Sequence, residues 1–533
     1  MMRWIFDRLF GKQLAAHTAR YLAQLGSAPA HASRSQATEL VKALAKSTGP
    51  AITLGRTPWD EKISVPASEI LNSFAMVTGG TGSGKTRFGL LILKSLIAML
   101  PQTDSMGCCV LDPKGETFAG ALWLLKQRLG ELGKTEAREL RRRVVLIDFS
   151  QRDPLSSYNI FARWPNADRD FFAGNRADML LDLLPGGDGL SLGGSGLLRK
   201  AILLLSEFGL PIGCLSDLLF DDALRAKLLA RSTDEDTVAY FTYQYPNAPK
   251  ATAAALARRM EALFSSDALR ATLSGKTAPD FRALQDDGKI VLINCSGPNL
   301  SRGVRRVLQA LIISDFCQAV FSRTRTDVPF LLVADEGQNC FITERLRDQM
   351  ADLLCMARSF GTHAILLTQA MGAAIRDPRL ATVLHTNIRW SFSMRGDPSD
   401  AAFLKGALPV AGRKRRPQVN PFEEPSFYSL AEERSMALDG IANLPDRTGY
   451  LWLKSRAREA FLMRTEDLVM PPAGELDQEI QSLRSDPTFG MRQSRKEFDR
   501  MMAERKREWR TEPAGDLGAT LAGAYRRTRG ETA

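Results

Sequence analysis

The stretch Gly79-Gly80-Thr81-Gly82-Ser83-Gly84-Lys85-Thr86 decides the fold of this chain. Its glycines let the backbone curl so that successive N–H groups point at phosphate oxygens, and a helix that follows adds its positive N-terminal end. In loops of this pattern the lysine reaches the β- and γ-phosphates, and the last hydroxyl binds Mg²⁺. We therefore predict that the loop binds ATP, with Lys85 on the phosphates and Thr86 on Mg²⁺.

Apolar segments surround the loop in the order that an α/β fold requires. Residues 73–78 precede it as a short buried strand, and residues 88–99 follow it as an apolar helix. Further strands alternate with helical stretches, which predicts a RecA-like P-loop NTPase with a mostly parallel sheet and an inserted all-α domain. The other predicted elements are a helix at about 116–139 and strands at 108–112, 144–149, 289–295, 330–335, 363–369, 388–394 and 449–454.

Breaks in this alternation predict the domain boundaries. Residues 165–283 have a helical pattern with few β-branched runs, so we predict that they form the inserted all-α domain. The nucleotide-binding domain then consists of residues 51–164 and 284–474. A helical segment, residues 1–50, precedes it. The charged residues 475–533 follow it as a tail, which is either a solvated helix or a disordered arm.

Polar side chains end several of the predicted strands. Asp335 and Glu336 follow the apolar run FLLVA, and Gln369 follows the run HAILLT. Ligands of parallel sheets lie at the carboxyl ends of the strands, and phosphoryl transfer needs a held metal and an oriented water. We predict that Asp335 holds Mg²⁺, that Glu336 polarises the attacking water and that Gln369 contacts the γ-phosphate. For Gln369, a strand-end amide satisfied by its neighbours is the alternative.

A further strand end carries the charged segment Asp-Pro-Lys-Gly-Glu, residues 112–116. Its charged groups would face the same crevice as the phosphate loop, because the strand is predicted to run parallel to the others. No role for this segment follows from its residues.

The composition is typical of a large globular protein with more basic than acidic residues. The chain has 533 residues, 44% of them hydrophobic and 25% charged, so more than one domain is expected. Its net charge of +11 fits a polyanionic partner, either nucleic acid or an anionic membrane face, although scattered basic residues give the same excess. Basic clusters at 141–143, 302–306 and 413–416 are candidates for contacts with DNA phosphates, and solvated loops are the alternative.

Seven cysteines occur, an odd number without zinc-ligand spacing and mostly within apolar runs. They are predicted to be buried thiols of a protein in a reducing cytoplasm. Cys108 and Cys109 are adjacent on a predicted strand, so their side chains should point to opposite faces of the sheet.

The N-terminal region is amphipathic. Residues 1–25 mix apolar side chains such as Trp4 and Phe10 with arginine and lysine, which fits a helix on a membrane surface, on a partner helix or on its own domain. No run of about 18 or more uninterrupted apolar residues is present, so no membrane-spanning segment is expected.

Five segments occur in a specific order: GGTGSGKT, LDPKGE, DPLSSYNIF, LLVADEGQ and ILLTQA, with the helical insertion after the third. Together they resemble the VirD4/TraG/TraD coupling ATPases of type IV secretion and conjugation, within the wider FtsK/HerA motor group, over about residues 70–470. The resemblance implies a homo-hexamer, formed on nucleotide or DNA binding, that hydrolyses ATP and moves DNA through a central channel. An arginine of the adjacent subunit completes the site in this family. Arg389 is the candidate for that catalytic residue, with Arg358 and Arg395 as alternatives.

The resemblance also implies partners: DNA, expected to be single-stranded and carried with its relaxase or relaxosome, and components of the type IV secretion channel. Members of the family usually begin with transmembrane helices, which this sequence lacks. Either the amphipathic N-terminus or a small membrane-anchoring subunit replaces that anchor, or the protein is a cytoplasmic relative. The expected location is therefore the cytoplasm or the periphery of the inner membrane.

Three other functions fit part of the pattern. A soluble HerA-like or FtsK-like DNA translocase in DNA processing or defence is favoured by the missing transmembrane helices. A docking ATPase that recruits protein cargo is a further alternative, because Lys85, Asp335 and Glu336 argue against an inactive ATPase but not against protein cargo. A metabolic P-loop kinase is disfavoured by the chain length and by the strand that ends at Gln369.

Overall fold

The computed structural model covers most of the chain between Thr38 and Arg510. It describes residues 38–39, 41–44, 46, 49–99, 106–164, 167–183, 192–261, 267–275, 277–297, 300–374, 377–410, 412, 414–417, 424–486, 488–489 and 492–510. Most of the predicted N-terminal helical segment and the end of the predicted tail lie outside these residues, as does Arg413 of the third basic cluster.

A sheet of eleven strands forms the centre of the described structure. The eight strands predicted from the sequence are all present, within two residues of the predicted bounds. The described strands are β1 (Ala51–Arg56), β2 (Lys62–Pro66), β3 (Phe74–Thr78), β4 (Gly107–Asp112), β5 (Val144–Asp148), β6 (Leu155–Ser156), β7 (Ile290–Asn294), β8 (Phe330–Ala334), β9 (Thr362–Thr368), β10 (Trp390–Met394), β11 (Thr448–Leu453), β12 (Phe461–Thr465) and β13 (Arg492–Gln493). Of these, β6 and β13 pair with each other in a separate two-stranded sheet.

Most of the sheet is parallel. Strands β10, β3, β9, β8, β4, β7 and β5 lie side by side in that order and run in one direction. Strands β11, β12, β1 and β2 continue the sheet beyond β10 as antiparallel neighbours. The predicted α/β class with a mostly parallel sheet is therefore confirmed. Because the central strands are parallel, the phosphate loop and the strand ends that carry the predicted acids share one edge of the sheet.

Helices occupy most of the remaining described residues. They are α1 (Ala67–Leu71), α2 (Lys85–Met99), α3 (Glu116–Glu131), α4 (Lys134–Arg143), α5 (Arg169–Leu183), α6 (Leu192–Glu207), α7 (Leu215–Phe220), α8 (Asp222–Arg231), α9 (Glu235–Ala239), α10 (Lys250–Glu261), α11 (Asp267–Leu273), α12 (Phe281–Asp286), α13 (Arg302–Phe321), α14 (Glu344–Met356), α15 (Met371–Ala374), α16 (Pro378–Asn387), α17 (Leu430–Asp439), α18 (Ala473–Arg484) and α19 (Arg495–Arg510).

Both faces of the sheet are covered by helices, and alternate residues of each strand enter different cores. In β4, Cys109 and Leu111 belong to one core, with residues of α5, α13 and α14, whereas Cys108 and Val110 belong to the other, with residues of α2 and α3. The opposite orientation predicted for the two cysteines is confirmed. Burial raises the pKa of Cys108 to about 12, which fits an inert thiol.

The described residues between β6 and β7 form helices α5–α12 and no strand. These helices share one hydrophobic core with a face of the sheet, through α5 residues such as Phe172 and Leu180. The contact also contains an ionic cluster: the Arg176 guanidinium donates to Asp315 Oδ1 at 2.6 Å, and the Tyr158 hydroxyl donates to Asp315 Oδ2 at 2.5 Å. The helical layer thus packs directly on helix α13. The division of the chain into domains stays a prediction.

Three parts of the structure differ from the sequence prediction. Residues 51–72, where the sequence predicted no strand or helix, form β1, β2 and α1, with Leu54 and Ile63 fully buried. The helix expected at 116–139 is two helices, α3 and α4, because Leu132 and Gly133 are extended between them. Strand β12 was not predicted at all.

The start of the predicted tail is folded against the sheet layer. Helix α18 packs on α3 and buries Ile480 and Leu483, and β13 pairs with β6. In α19, Phe498 is buried against Leu155 and Ala271. Charge composition did not predict these contacts, since only a few apolar positions in the segment make them.

Within the described ranges, no single helix combines the length and the apolar character needed to cross a bilayer. One sharply bent pair, Gly193–Glu207 with Ile212–Phe220, meets that criterion by length and composition when its two helices are taken together.

Candidate nucleotide-binding site

The phosphate loop connects β3 to α2, at the centre of the sheet. Gly82 and Gly84 adopt left-handed conformations with φ of 78° and 105°, which glycine adopts without steric cost. The Gly80 N–H donates to the carbonyl oxygen of Arg395 at 2.6 Å, so the residue after β10 holds the start of the loop. Lys85 begins α2, as the loop pattern predicts.

Lys85 is buried within its own loop. Its ammonium donates to the carbonyl oxygens of Gly79 at 2.5 Å and of Gly80 at 2.8 Å. The pKa of Lys85 is lowered to about 8, mainly by burial and in part by the nearby Lys114, although the carboxylates of Glu336 and Asp335 act to raise it. The ammonium therefore lies within electrostatic range of the predicted acids.

Asp335 follows β8 and is buried. Its Oδ2 accepts from the Thr117 hydroxyl at 2.6 Å, and its Oδ1 accepts from the Glu336 N–H at 2.9 Å. Burial raises the pKa of Asp335, and the two hydrogen bonds oppose that effect. The carboxylate is thus fixed in one orientation by helix α3 and by its own backbone.

Glu336 has an unusual backbone and three side-chain partners. Its φ of 52° and ψ of 48° are left-handed, which is uncommon for a residue with a Cβ. The carboxylate forms an ion pair with Lys114 and accepts from the side-chain amides of Gln338 and Gln369, the latter at 2.5 Å. The predicted water-polarising group is therefore held by cationic and amide donors.

Gln369 connects this carboxylate to the phosphate loop. Its amide nitrogen donates to Glu336 Oε1, and its amide oxygen accepts from the Thr81 hydroxyl at 3.0 Å. The Thr368 hydroxyl, next to it, donates to Gln338 Oε1 at 2.9 Å. Gln369 thus has partners on both sides, one in the loop and one among the acids, and its predicted role in contacting the γ-phosphate stays a prediction.

The segment 112–116, whose role the sequence left open, lies beside these groups. Asp112 is fully buried, and its carboxylate accepts from the N–H groups of Lys114 at 2.7 Å and of Phe118 at 2.8 Å. Burial and the neighbouring Asp335 raise the pKa of Asp112 to about 6. Asp112 therefore fixes the backbone at the start of α3. Lys114, just before this helix, contacts Glu336, and Thr117, in its first turn, contacts Asp335.

A cavity of about 800 Å³ opens along the loop. Thr81, Lys85, Thr86, Lys114 and Gln369 line its end at the phosphate loop. That end combines backbone N–H groups, two lysines and hydroxyls, which is the donor set that a triphosphate requires. Further lining residues that the sequence did not suggest are Arg87, Leu90, Phe118, Ser150, Asn294, Ser296, Met470, Leu476 and Arg484.

The remote end of the cavity is organised around Asp148, which is fully buried at the end of β5. Asp148 Oδ2 accepts from Arg484 Nε at 2.8 Å, and Oδ1 accepts from the Asn294 amide at 2.9 Å and from the Ser150 hydroxyl at 2.6 Å. Sequence inspection missed Arg484, because it belongs to the segment that charge composition described as a solvated tail.

The three candidate arginines lie at two opposite edges of the sheet. Arg389 precedes β10, and its N–H donates to Phe74 O at the start of β3, the edge opposite the phosphate loop. Arg389 and Arg358 line a separate cavity of about 600 Å³ there. Arg395 follows β10 at the loop's own edge and pairs with Asp446 at 2.6 Å. The structure therefore does not bring Arg389 to the phosphate loop of its own chain, and its predicted role stays a prediction that requires a second subunit.

Some residues of the basic clusters have intramolecular partners. Arg141 pairs with Asp486 at 3.1 Å, and Arg143 donates to the carbonyl oxygen of Gly288 at 2.9 Å. Arg416 binds both oxygens of the Glu432 carboxylate, at 2.7 and 2.9 Å. Contacts with other parts of the same chain thus account for these three arginines, and their predicted contacts with DNA remain predictions.

Comparison with solved structures identifies proteins of similar fold. VirB4 of Thermoanaerobacter pseudethanolicus superposes with a TM-score of 0.51 at 14% identity, over 79% of this chain and 98% of that chain. The bacterial conjugative coupling protein TrwB matches with a TM-score of 0.48 at 15% identity over 84% of this chain and 94% of that chain. TrwB in complex with ADP and Mg²⁺ matches with a TM-score of 0.47 at 17% identity, over 85% of this chain and 94% of that one.

At 14% identity, the match to VirB4 shows that this chain and that protein share a fold. The TM-scores to TrwB fall below 0.5 and add no support of their own. No protein-family model matches the sequence, and no curated protein matches it either.

Proposed function

We propose that the chain is an ATPase of the type IV secretion and conjugation coupling class, a homo-hexameric motor that hydrolyses ATP with Mg²⁺ and translocates DNA. The observation that carries this proposal is the link from Thr81 of the phosphate loop through Gln369 to Glu336. A loop of this kind serves many nucleotide-binding proteins. A strand-end amide that joins the loop to Glu336, next to the buried Asp335, suits an ATPase, which must couple the phosphate to the attacking water.

The roles of the remaining residues follow from their places. Lys85 and the loop N–H groups bind the β- and γ-phosphates, and Glu336 accepts a proton from the attacking water as general base. The ordered motifs GGTGSGKT, LDPKGE, DPLSSYNIF, LLVADEGQ and ILLTQA, together with the fold shared with VirB4, support the assignment to the secretion class over that to a metabolic kinase.

Thr86 and Asp335 have the chemistry to hold Mg²⁺. Among the described residues no group of three or more His, Cys, Asp or Glu side chains forms a metal site by itself. Mg²⁺ requires no such group, since in phosphoryl-transfer sites it is usually bound by one or two protein oxygens together with substrate phosphates and water. The Thr117 hydroxyl already orients Asp335, and the remaining lone pairs of that carboxylate stay available. Bound there, the metal supplies charge neutralisation for the developing phosphate charge.

Proposed partners come from the resemblance: DNA with its relaxase as cargo, components of the secretion channel, and a small membrane-anchoring subunit. The net charge of +11 supports a polyanionic cargo. Protein cargo on a docking ATPase is the alternative that the same active-site residues allow.

Steady-state ATP hydrolysis, measured with and without single- and double-stranded DNA, tests this proposal. We expect DNA to stimulate the wild type and Lys85→Ala to lose ATP binding. Glu336→Gln should bind ATP but lose about 10² to 10⁴-fold in kcat, the contribution of a general base. Lys94→Met, which removes an exposed lysine of α2, is the matched control. Hydrolysis indifferent to DNA would favour protein cargo, and no hydrolysis by the wild type would reject the ATPase.

A further inference from the structure

Lys114 lies between the phosphate loop and the catalytic acids, in the segment 112–116 that the sequence left without a role. Its ammonium forms an ion pair with Glu336 Oε1. The side chain is 43% exposed, and it lines the same cavity as Lys85 and Thr81. One cation thus contacts the predicted general base and faces the space that ATP would occupy.

The backbone at Lys114 is fixed on both sides. Its N–H donates to the buried carboxylate of Asp112 at 2.7 Å. Gly115, which follows, has φ of 91°, and a Cβ at that position would lie 2.5 Å from Ser296 Oγ. Because the main chain is held in this way, the entropy lost in keeping the lysine beside Glu336 is smaller than for a lysine on a mobile loop.

Glu336 faces an electrostatic conflict when ATP is bound. Two hydrogen bonds, through Gln369, separate its carboxylate from Thr81 of the phosphate loop, so the γ-phosphate and the carboxylate are negative charges at short range. Lys85 donates to its own loop, and its pKa responds to the charges of both Lys114 and Glu336. Lys114 is therefore close enough to the loop for its charge to act there.

We infer that Lys114 shields the γ-phosphate of ATP from the Glu336 carboxylate, so that the site binds ATP more tightly relative to ADP than it would without this lysine. The inference rests on the proposed function, since it requires that the cavity binds ATP. Lys114 is then a specificity-determining residue. Its charge offsets the repulsion between the Glu336 carboxylate and the γ-phosphate, and it matters less for ADP, which lacks the γ-phosphate.

Equilibrium binding of ADP and of a non-hydrolysable ATP analogue, with Mg²⁺ and the full chain, tests the inference. We expect Lys114→Met to weaken analogue binding about tenfold, which corresponds to about 1.4 kcal/mol, and to change ADP binding less than about twofold. Lys114→Arg keeps the charge and should bind the analogue about as the wild type does. Lys94→Met serves as the charge-matched control on an exposed helix position.

A second substitution separates shielding from a purely structural role. Glu336→Gln removes the repelling charge, so the double variant K114M/E336Q should regain the analogue affinity that Lys114→Met lost. The inference is overturned if Lys114→Met binds the analogue normally, if it loses ADP and analogue equally, or if the double variant stays as weak as Lys114→Met. A wild type that binds neither nucleotide would instead reject the proposed function, and the inference with it.

Discussion

Glu336 shows how one residue can be held in a conformation that its type disfavours. Its left-handed backbone costs free energy, on the order of 1 kcal/mol or more, which the surroundings must offset. Its N–H donates to Asp335, and its carboxylate receives Lys114 and two amides, so several contacts define the same geometry. A residue with this many restraints can keep its carboxylate aimed at the phosphate loop without help from substrate.

The pH dependence of the reaction should report on Lys85. Burial lowers its pKa to about 8, so in the free enzyme the ammonium is charged below that pH and neutral above it. Phosphate binding needs the charge. We therefore expect kcat/KM for ATP to fall as pH rises through about 8, because kcat/KM reports the groups of the free enzyme.

The kcat profile provides the internal control for this prediction. In the complex the phosphates favour the charged ammonium, so the alkaline fall in kcat should lie at higher pH than the fall in kcat/KM. Lys114→Met removes a like charge and should move the kcat/KM limb to higher pH as well. A kcat/KM that stays flat to pH 10 would contradict the prediction.

For single residues of the candidate site, the sequence predicted those that belong to a motif. It missed those that other parts of the chain bring to the site. Gly79 to Thr86, Asp335, Glu336 and Gln369 all lie at one sheet edge, as the strand ends required. The contact of Thr117 with Asp335 and the place of Arg484 on the cavity wall depend on how α3 and α18 pack. Spacing along the chain contains no information on such packing.

Among the elements, α5 and α13 are joined by a buried ion pair. Arg176 and Asp315 are each about 5% exposed in their side chains, and the Tyr158 hydroxyl completes the cluster. We expect Arg176→Met to destabilise the protein by about 3–5 kcal/mol, because it leaves a buried carboxylate without its cation. Thermal and urea unfolding, followed by circular dichroism, measure the effect.

A double substitution is the control for that experiment. Replacing both partners, as in R176M/D315L, removes the uncompensated charge and should recover much of the lost stability. Arg176→Lys keeps the charge but loses the planar guanidinium geometry. Its stability should therefore lie between that of Arg176→Met and that of the wild type. If Arg176→Met unfolds at the same temperature and urea concentration as the wild type, the pair contributes little to stability.

The elements also show where sequence reasoning about the fold succeeds and fails. The central parallel strands were predicted because they are short continuous apolar runs, typical of strands buried on both faces. Strands β1 and β2 were overlooked although Ile52 and Leu54, like Ile63 and Val65, alternate with polar residues as a strand would. The break between α3 and α4 has only Gly130 and Gly133 to mark it, and glycines inside a helical pattern are a weak signal.

At the scale of the whole molecule, the sheet separates the two parts of an active site shared between subunits, the phosphate loop and the candidate arginine. The phosphate loop lies at the carboxyl ends of the parallel strands, and Arg389 lies at their opposite ends, about 16 Å away along β3. No rearrangement within one chain brings the two together without breaking the sheet. If Arg389 is catalytic, it therefore acts on the nucleotide of a neighbouring subunit in a head-to-tail ring.

This geometry predicts that two inactive variants restore each other. Arg389→Ala should bind ATP normally but lose about 10³ to 10⁵-fold in turnover, and Lys85→Ala should fail to bind ATP. In an equal mixture, some interfaces combine the intact loop of an R389A subunit with the intact arginine of a K85A subunit. Random assembly gives about a quarter of all interfaces this composition, so we expect activity to return toward that fraction of the wild-type rate.

Lys85→Ala mixed with Glu336→Gln is the matched control, because both defects lie at the same edge of the sheet and no interface between them is intact. That mixture should stay inactive. Normal turnover by Arg389→Ala would remove this residue from the site and move the role to Arg358, which lies at the same edge. An Arg389→Ala variant that is inactive alone and is not restored by Lys85→Ala would place Arg389 outside the shared interface, because only a residue that acts across subunits can be supplied by a partner.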